Sequence, residues 1–190
     1  MATIHKTQTP VSPDDILKFW FEQSTPKQWF TKSQAFDDVI SHRFAGSISD
    51  ALAGRLAAWC ERADDNLALI LLLDQFTRHI YRDSPSAFAG DAQALCLSQR
   101  ALERGWLQSC GSLHRRKFML MPMMHSEDLE VQRTALPLFE QFTDADTLRF
   151  AQRHEEIVAR FGRFPHRNAA LGRPSTDQER AFLQEPGSSF

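Results

Sequence analysis

In "DQFTRHIYR", Asp74, Arg78 and Arg82 recur every four residues and so share one face of a helix, continuing a stripe that begins at Leu67 and Leu71. The preceding run, "LALILLL", is apolar on every face, so this helix is expected at the centre of the fold, with a buried stripe that turns ionic partway along. An unpaired buried charge costs several kcal/mol, which makes Asp74 a partner for Arg78 or another cation. Such a pair can serve only to set register between helices. With Arg82, Arg163 and Arg167 brought to the same place, it would instead leave cations in excess for an anion.

Two other stretches carry chemistry. In "MLMPMMHSEDLE", Pro122 is expected to stop one helix and Ser126 to cap the next, leaving His125 beside a helix N-terminus where backbone donors gather. His125 with Glu127 can exchange a proton with a ligand there, or Glu127 can simply stabilise the helix dipole while His125 packs locally. In "RFGRFPHRN", Gly162 ends a helix in a left-handed turn and Pro165 keeps the chain from returning to a helix at once. Phe161 and Phe164 anchor the loop, holding Arg163, His166 and Arg167 where they can grip a carboxylate or phosphate by two parallel hydrogen bonds. The alternative for these arginines is to pin the loop to nearby carbonyls.

The candidate ligand-binding residues are therefore Asp74, Gln75, Arg78, Arg82, His125, Glu127, Arg163, His166 and Arg167, with the segments 74–82, 125–130 and 162–168 expected to converge. Asp74 and Gln75 would orient the arginines or accept from the ligand. No catalytic residue follows from a motif. The enzyme alternative, a hydrolase or lyase, uses His125 or His166 as acid and base with Glu127 beside it. No HExxH, ExxH pair or aspartate-rich spacing accompanies His125, so no metal and no cofactor is expected, and no GxSxG elbow surrounds Ser126. The methionines between 119 and 124 read as core filler.

These groups need helices to position them. Ser12 and Pro13 open the first; Ser33 caps a second running to about Phe44; Gly46 separates it from a third over 47–62. Asp64 or Asp65 caps a fourth reaching about Tyr81, and a turn at "DSPSAFAGD" leads to a fifth ending at Gly105. A sixth, before Pro122, is followed by a seventh with a kink at Pro137, an eighth capped by Thr143, and a last short one opened by the capping box "TDQE". Nothing alternates with a period of two. The fold class is all-α, with about eight or nine helices in stacked antiparallel pairs.

The chain has 190 residues, 42% of them hydrophobic, enough for one domain over 13–190 behind a flexible segment at 1–12. Lysine and arginine number 22 against 24 acidic residues, and the net charge of -2 excludes a general pull toward nucleic acid or anionic lipid. The cysteines, Cys60, Cys96 and Cys110, form neither a disulfide framework nor a paired metal site. With no apolar run that could span a bilayer and no signal peptide, the expectation is a cytoplasmic protein without a membrane partner. Its expected partner is an anionic small molecule or a peptide; an interaction scaffold is the further alternative, and oligomeric state is left open.

"LALILLLDQFTRHIYRDSPSAFAGDAQAL", "MPMMHSEDLEVQ" and "FGRFPHRNAALGRPST" together resemble the family named domain of unknown function 924, from about Pro13 to the C-terminus. The resemblance implies a tetratricopeptide-like, right-handed array of helices, and no assigned reaction. His79 and Asp83 stand where the family's "DQFxRNxxRG" pattern has asparagine and glycine.

Overall fold

The structure, a computed structural model, describes residues 11–189; the flexible segment expected at 1–12 lies, for residues 1–10, outside them. The described chain is helical, with no β-strand among the described residues. Helix α1 (Pro13–Lys18) starts as its sequence demands: Ser12 Oγ accepts from the Asp15 N–H at 3.2 Å while the Asp15 carboxylate accepts from the Ser12 N–H at 3.0 Å. It widens into a π-helical segment, Phe19–Gln23, and a second capping box at Thr25 opens the short α2 (Pro26–Phe30), which the sequence reading overlooked.

Helix α3 (Gln34–Leu52) runs straight through Gly46. Glycine costs a helix only about 1 kcal/mol relative to alanine, and the buried stripe Phe36, Ile40, Phe44, Ile48 and Ala51 continues across it at helical spacing, so packing outweighs the break expected there. The segment over 53–62 holds only a 3-10 turn, Ala57–Glu61.

The central helix has three parts: α4 (Ala63–Ile70), a π-helical segment Leu71–Phe76, and α5 (Thr77–Ile80). Asp64 and Asp65 lie in its first turn rather than at the cap. Every residue from 66 to 77 is buried, as the uniformly apolar run requires. Phe76 meets Phe19, Trp20 and Phe44 at centroid separations of 5.1 to 6.0 Å, with Trp20 in turn against Phe118 at 5.5 Å.

Helix α6 (Asp91–Glu103) begins at Gly90, where an added Cβ would lie 2.3 Å from the Leu73 carbonyl oxygen, so only glycine permits this approach to the central helix. Gly105 then turns the chain left-handed into α7 (Trp106–Ser109). Helix α8 (Leu113–Met124) contains Pro122 rather than stopping before it. The proline sits in the last turn, and the helix continues through the His125 N–H bond to Met121 O at 3.0 Å.

Asp128, not Ser126, caps α9 (Leu129–Phe142), and Asp144, not Thr143, caps α10 (Ala145–Phe161). Helix α9 packs against both α8 and α10. Gly162 ends α10 at φ 69°, as expected, but Pro165 opens a 3-10 turn, Pro165–Arg167, because its fixed φ suits a first helical position. Phe164 and Phe182 of α11 (Asp177–Phe182) complete a small apolar cluster with Ile157 and Val158, which holds this loop against α10. No helix among the described residues is long and apolar enough to cross a membrane.

Candidate functional site

Three distant segments meet at the polar end of the central helix. Asp74, fully buried, accepts from His125 Nδ1 at 2.6 Å and lies 3.2 Å from Arg78 Nη1, while the amide of Gln75 donates to its second oxygen. Arg78 also donates to the Asp74 carbonyl at 2.7 Å and, by both terminal nitrogens, to Asp91 at 2.8 and 3.0 Å. Asp91 is the first residue of α6, delivered here by the contact at Gly90.

Arg167, only 6% exposed, donates to Asp91 at 3.0 Å and to the His125 carbonyl at 2.9 Å. Its guanidinium lies over the rings of Phe88 and Phe164, 4.7 and 4.6 Å from their centroids. Burial and the charge of Arg78 lower its pKa to about 10, which leaves it charged at neutral pH.

Burial opposes ionisation of Asp74, but His125 and Arg78 outweigh it and hold the carboxyl well below the usual carboxylate range. Burial pushes His125 below its ordinary value, and Arg78 and Arg167 add to that effect against the pull of Asp74. A neutral His125 donating Nδ1–H to an ionised Asp74 keeps its lone pair on Nε2. His125 closes α8 in right-handed conformation; it is not beside a helix N-terminus, so the backbone anion site expected there does not form.

A cavity of about 620 Å³ opens onto this cluster. Among the described residues, Lys32, Arg78, Arg82, Lys117 and Arg167 line it, with Asp83 as the one lining carboxylate; Asp74 and Asp91 stand behind the cations they hold. Gln75, His79, His125, Thr147, His154, His166 and Ser189 add to its polar wall. Burial, with the neighbouring His125 and the charge of Arg167, lowers His154 to about 3. His166 falls to about 4, by burial and then Arg167. Trp29, Phe30, Phe88, Met121, Met124 and Phe150 supply the apolar wall.

Arg82 lines the cavity but pairs with Asp37 of α3 at 2.7 and 2.9 Å, and His79 donates to the same carboxylate at 2.7 Å rather than meeting Asp74. Asp83 has φ 57°, a left-handed conformation that explains why a glycine suits this position.

Glu127 and Arg163 are not among the lining residues. Glu127 accepts from the Phe164 N–H at 2.7 Å and from both terminal nitrogens of Arg173 at 2.6 and 2.9 Å, and these donors overcome its burial to hold its pKa down. Arg163 donates to Glu179 at 2.7 and 2.9 Å and to the Pro174 carbonyl at 2.9 Å, fastening α11. Both side chains are taken up by backbone groups and by opposite charges away from the cavity wall. Among the described residues, no three histidine, cysteine or carboxylate side chains are placed to share a metal ion.

The sequence reading missed Asp91, His154 and Arg173. His154 was legible: it falls with Thr147, Ala151 and Val158 on the buried stripe of α10, where a titratable side chain needs a reason. Asp91 carried no such signal, since its partners are 13 and 76 residues away.

This combination defines an all-α protein with a buried arginine-histidine cluster at one end of a cavity. The family described as bacterial protein of unknown function, DUF924, matches residues 16–187, and the chain belongs to it. A protein of unknown function from Agrobacterium tumefaciens has a similar structure, with a TM-score of 0.85 at 38% identity, over 90% of this chain and 96% of that one. No curated protein matches the chain.

Proposed function

We propose that the protein, read as one domain over 13–190, binds a small anionic ligand or a peptide carboxylate in this cavity, using Arg78 and Arg167 in a frame set by Asp74 and Asp91. The observation that carries this reading is orientation: among the described residues five cations line the wall, and the carboxylates that hold three of them lie behind it. The neutral histidines add groups that can take a proton when an anion enters.

Native mass spectrometry and a thermal-shift screen of anionic metabolites test the reading. Arg167→Lys should then weaken binding by roughly 1.5 to 3 kcal/mol, because lysine keeps the charge but loses the planar fork. It should also lower stability, since Arg167 ties Asp91 to the His125 carbonyl. Failure of every anion to bind or to raise the unfolding temperature would end the reading.

One observation favours a second reading as a hydrolase or lyase: Asp74, rather than Glu127, orients His125 as a base facing the cavity. Turnover of generic ester, amide and phosphoester substrates, compared between wild type and His125→Gln, tests it. The scaffold alternative draws on tetratricopeptide-like stacking, which gives no account of buried cations converging on a cavity. Three free cysteines suit a reducing compartment, the cytoplasm in our reading.

A further inference from the structure

We propose that the cavity takes a carboxylate carried on an apolar body, with the carboxylate at the Arg78–Arg167–His125 end and the body lying toward Phe150 and Phe30. This inference rests on the anion-binding reading above and narrows it.

The layout comes from two helices that line the cavity in the same sense. Along α8, Lys117, Met121 and His125 follow at intervals of four, a span of about 12 Å at the helical rise of 1.5 Å per residue. Along α10, Thr147, Phe150 and His154 follow the same course, and the rings of His125 and His154 lie 6.1 Å apart at the far end. At the near end, Lys117 Nζ sits 4.8 Å from the centre of the Phe30 ring. The wall therefore changes from lysine and phenylalanine, through methionine, to histidine and arginine.

Size and exposure point to more than a bare ion. A cavity of about 620 Å³ is in the range that encloses a drug-sized molecule. Phe30 and Phe150 are 55% and 56% exposed and both face the same cavity, where a ligand's apolar body would cover them.

Charge limits the head group. Arg78 and Arg167 are matched by Asp74 and Asp91, and their bonds within the protein leave one N–H on Arg78 Nη2 and one on each terminal nitrogen of Arg167, beside a buried Arg167 Nε without a hydrogen-bond partner. A carboxylate, with one charge and two acceptor oxygens, suits this supply better than a phosphate dianion, which would need further cations.

The test is a homologous series on the wild-type protein: acetate, hexanoate, octanoate and decanoate by calorimetry and by histidine NMR shifts, with octylamine and octanol as controls. Affinity should rise about threefold to fourfold per added methylene, while the amine and alcohol bind at least tenfold more weakly than octanoate. Phe150→Ser, at an exposed position, should lower octanoate affinity several-fold and leave acetate unchanged. A hexapeptide ending in leucine, with free or amidated C-terminus, separates a peptide source from a free acid: tighter binding of the free form than of octanoate assigns the peptide, and the reverse assigns the acid. Acetate binding as well as octanoate would overturn this inference and leave the anion reading standing. Equal binding of octylamine or octanol, or no carboxylate binding at any length, would overturn this inference; the anion reading falls with it only if phosphate and the other anions of the screen also fail to bind.

Discussion

Two arginine-carboxylate networks lie within a few residues of each other and have opposite character. The first, Asp74 with Arg78, Asp91 and Arg167, faces a cavity with its cations forward and neutral histidines around it. The second, Glu127 with Arg173 and the Phe164 N–H, closes on the backbone of the loop it holds, and Arg163 with Glu179 does the same for α11. Both stretches look alike as strings of charge. All four arginines end on carbonyls and carboxylates, so pairing alone does not separate them; what differs is that Arg78 and Arg167 line the cavity while Arg163 and Arg173 do not.

Breaking each network in turn separates these roles. Asp74→Ala should have the largest effect, a loss of about 3 to 5 kcal/mol in denaturant unfolding, because it leaves Arg78 without its fully buried partner. Replacing both residues by well-packed apolar ones should cost much less stability and still abolish anion binding. An unchanged unfolding midpoint in the single variant would mean that the pair is not what holds this end of the helix.

Glu127→Ala should cost about 2 to 3 kcal/mol, by orphaning Arg173 and the Phe164 N–H, yet leave ligand affinity of the folded protein unchanged. A drop in affinity comparable to that of Arg167→Lys would merge the two networks into one site.

Acid should act on the cavity first. His154 and His166 have folded pKa values of about 3 and about 4, below the ordinary 6.5, so an unfolded chain binds more protons in that interval. Their contribution is fully present above pH 6.5 and is lost as pH falls toward the folded values, by about 1.4 kcal/mol per histidine one unit below 6.5. Thermal unfolding from about pH 7.5 to about pH 5.5 should show this decline, and a saturating carboxylate should reduce it. A flat profile would show that the histidines are not held neutral by the fold.

The smallest effect is a gain. Asp83→Gly should stabilise by about 0.5 kcal/mol, since glycine adopts φ 57° without strain, and it should tighten anion binding by removing a carboxylate from the cavity wall. Thermal melts and calorimetry on the same sample read both changes.

What the sequence determined by itself is local. Ser12, Ser33 and Thr176 cap helices where their side chains reach a backbone N–H three residues on, Gly162 stops α10, and the apolar run before Asp74 makes the central helix buried and pairs Asp74 with Arg78 one turn later. Each of these depends on groups within about four residues, the reach of a single helical turn. Only the tertiary structure decided that Arg82 and His79 turn to Asp37, that Glu127 and Arg163 fasten a loop instead of lining a cavity, and that Asp91 joins Arg78 to Arg167. A charged side chain settles on whichever opposite charge packing brings into reach, and for these pairs the choice is made across 13 to 76 residues by contacts such as the close approach of Gly90 to Leu73.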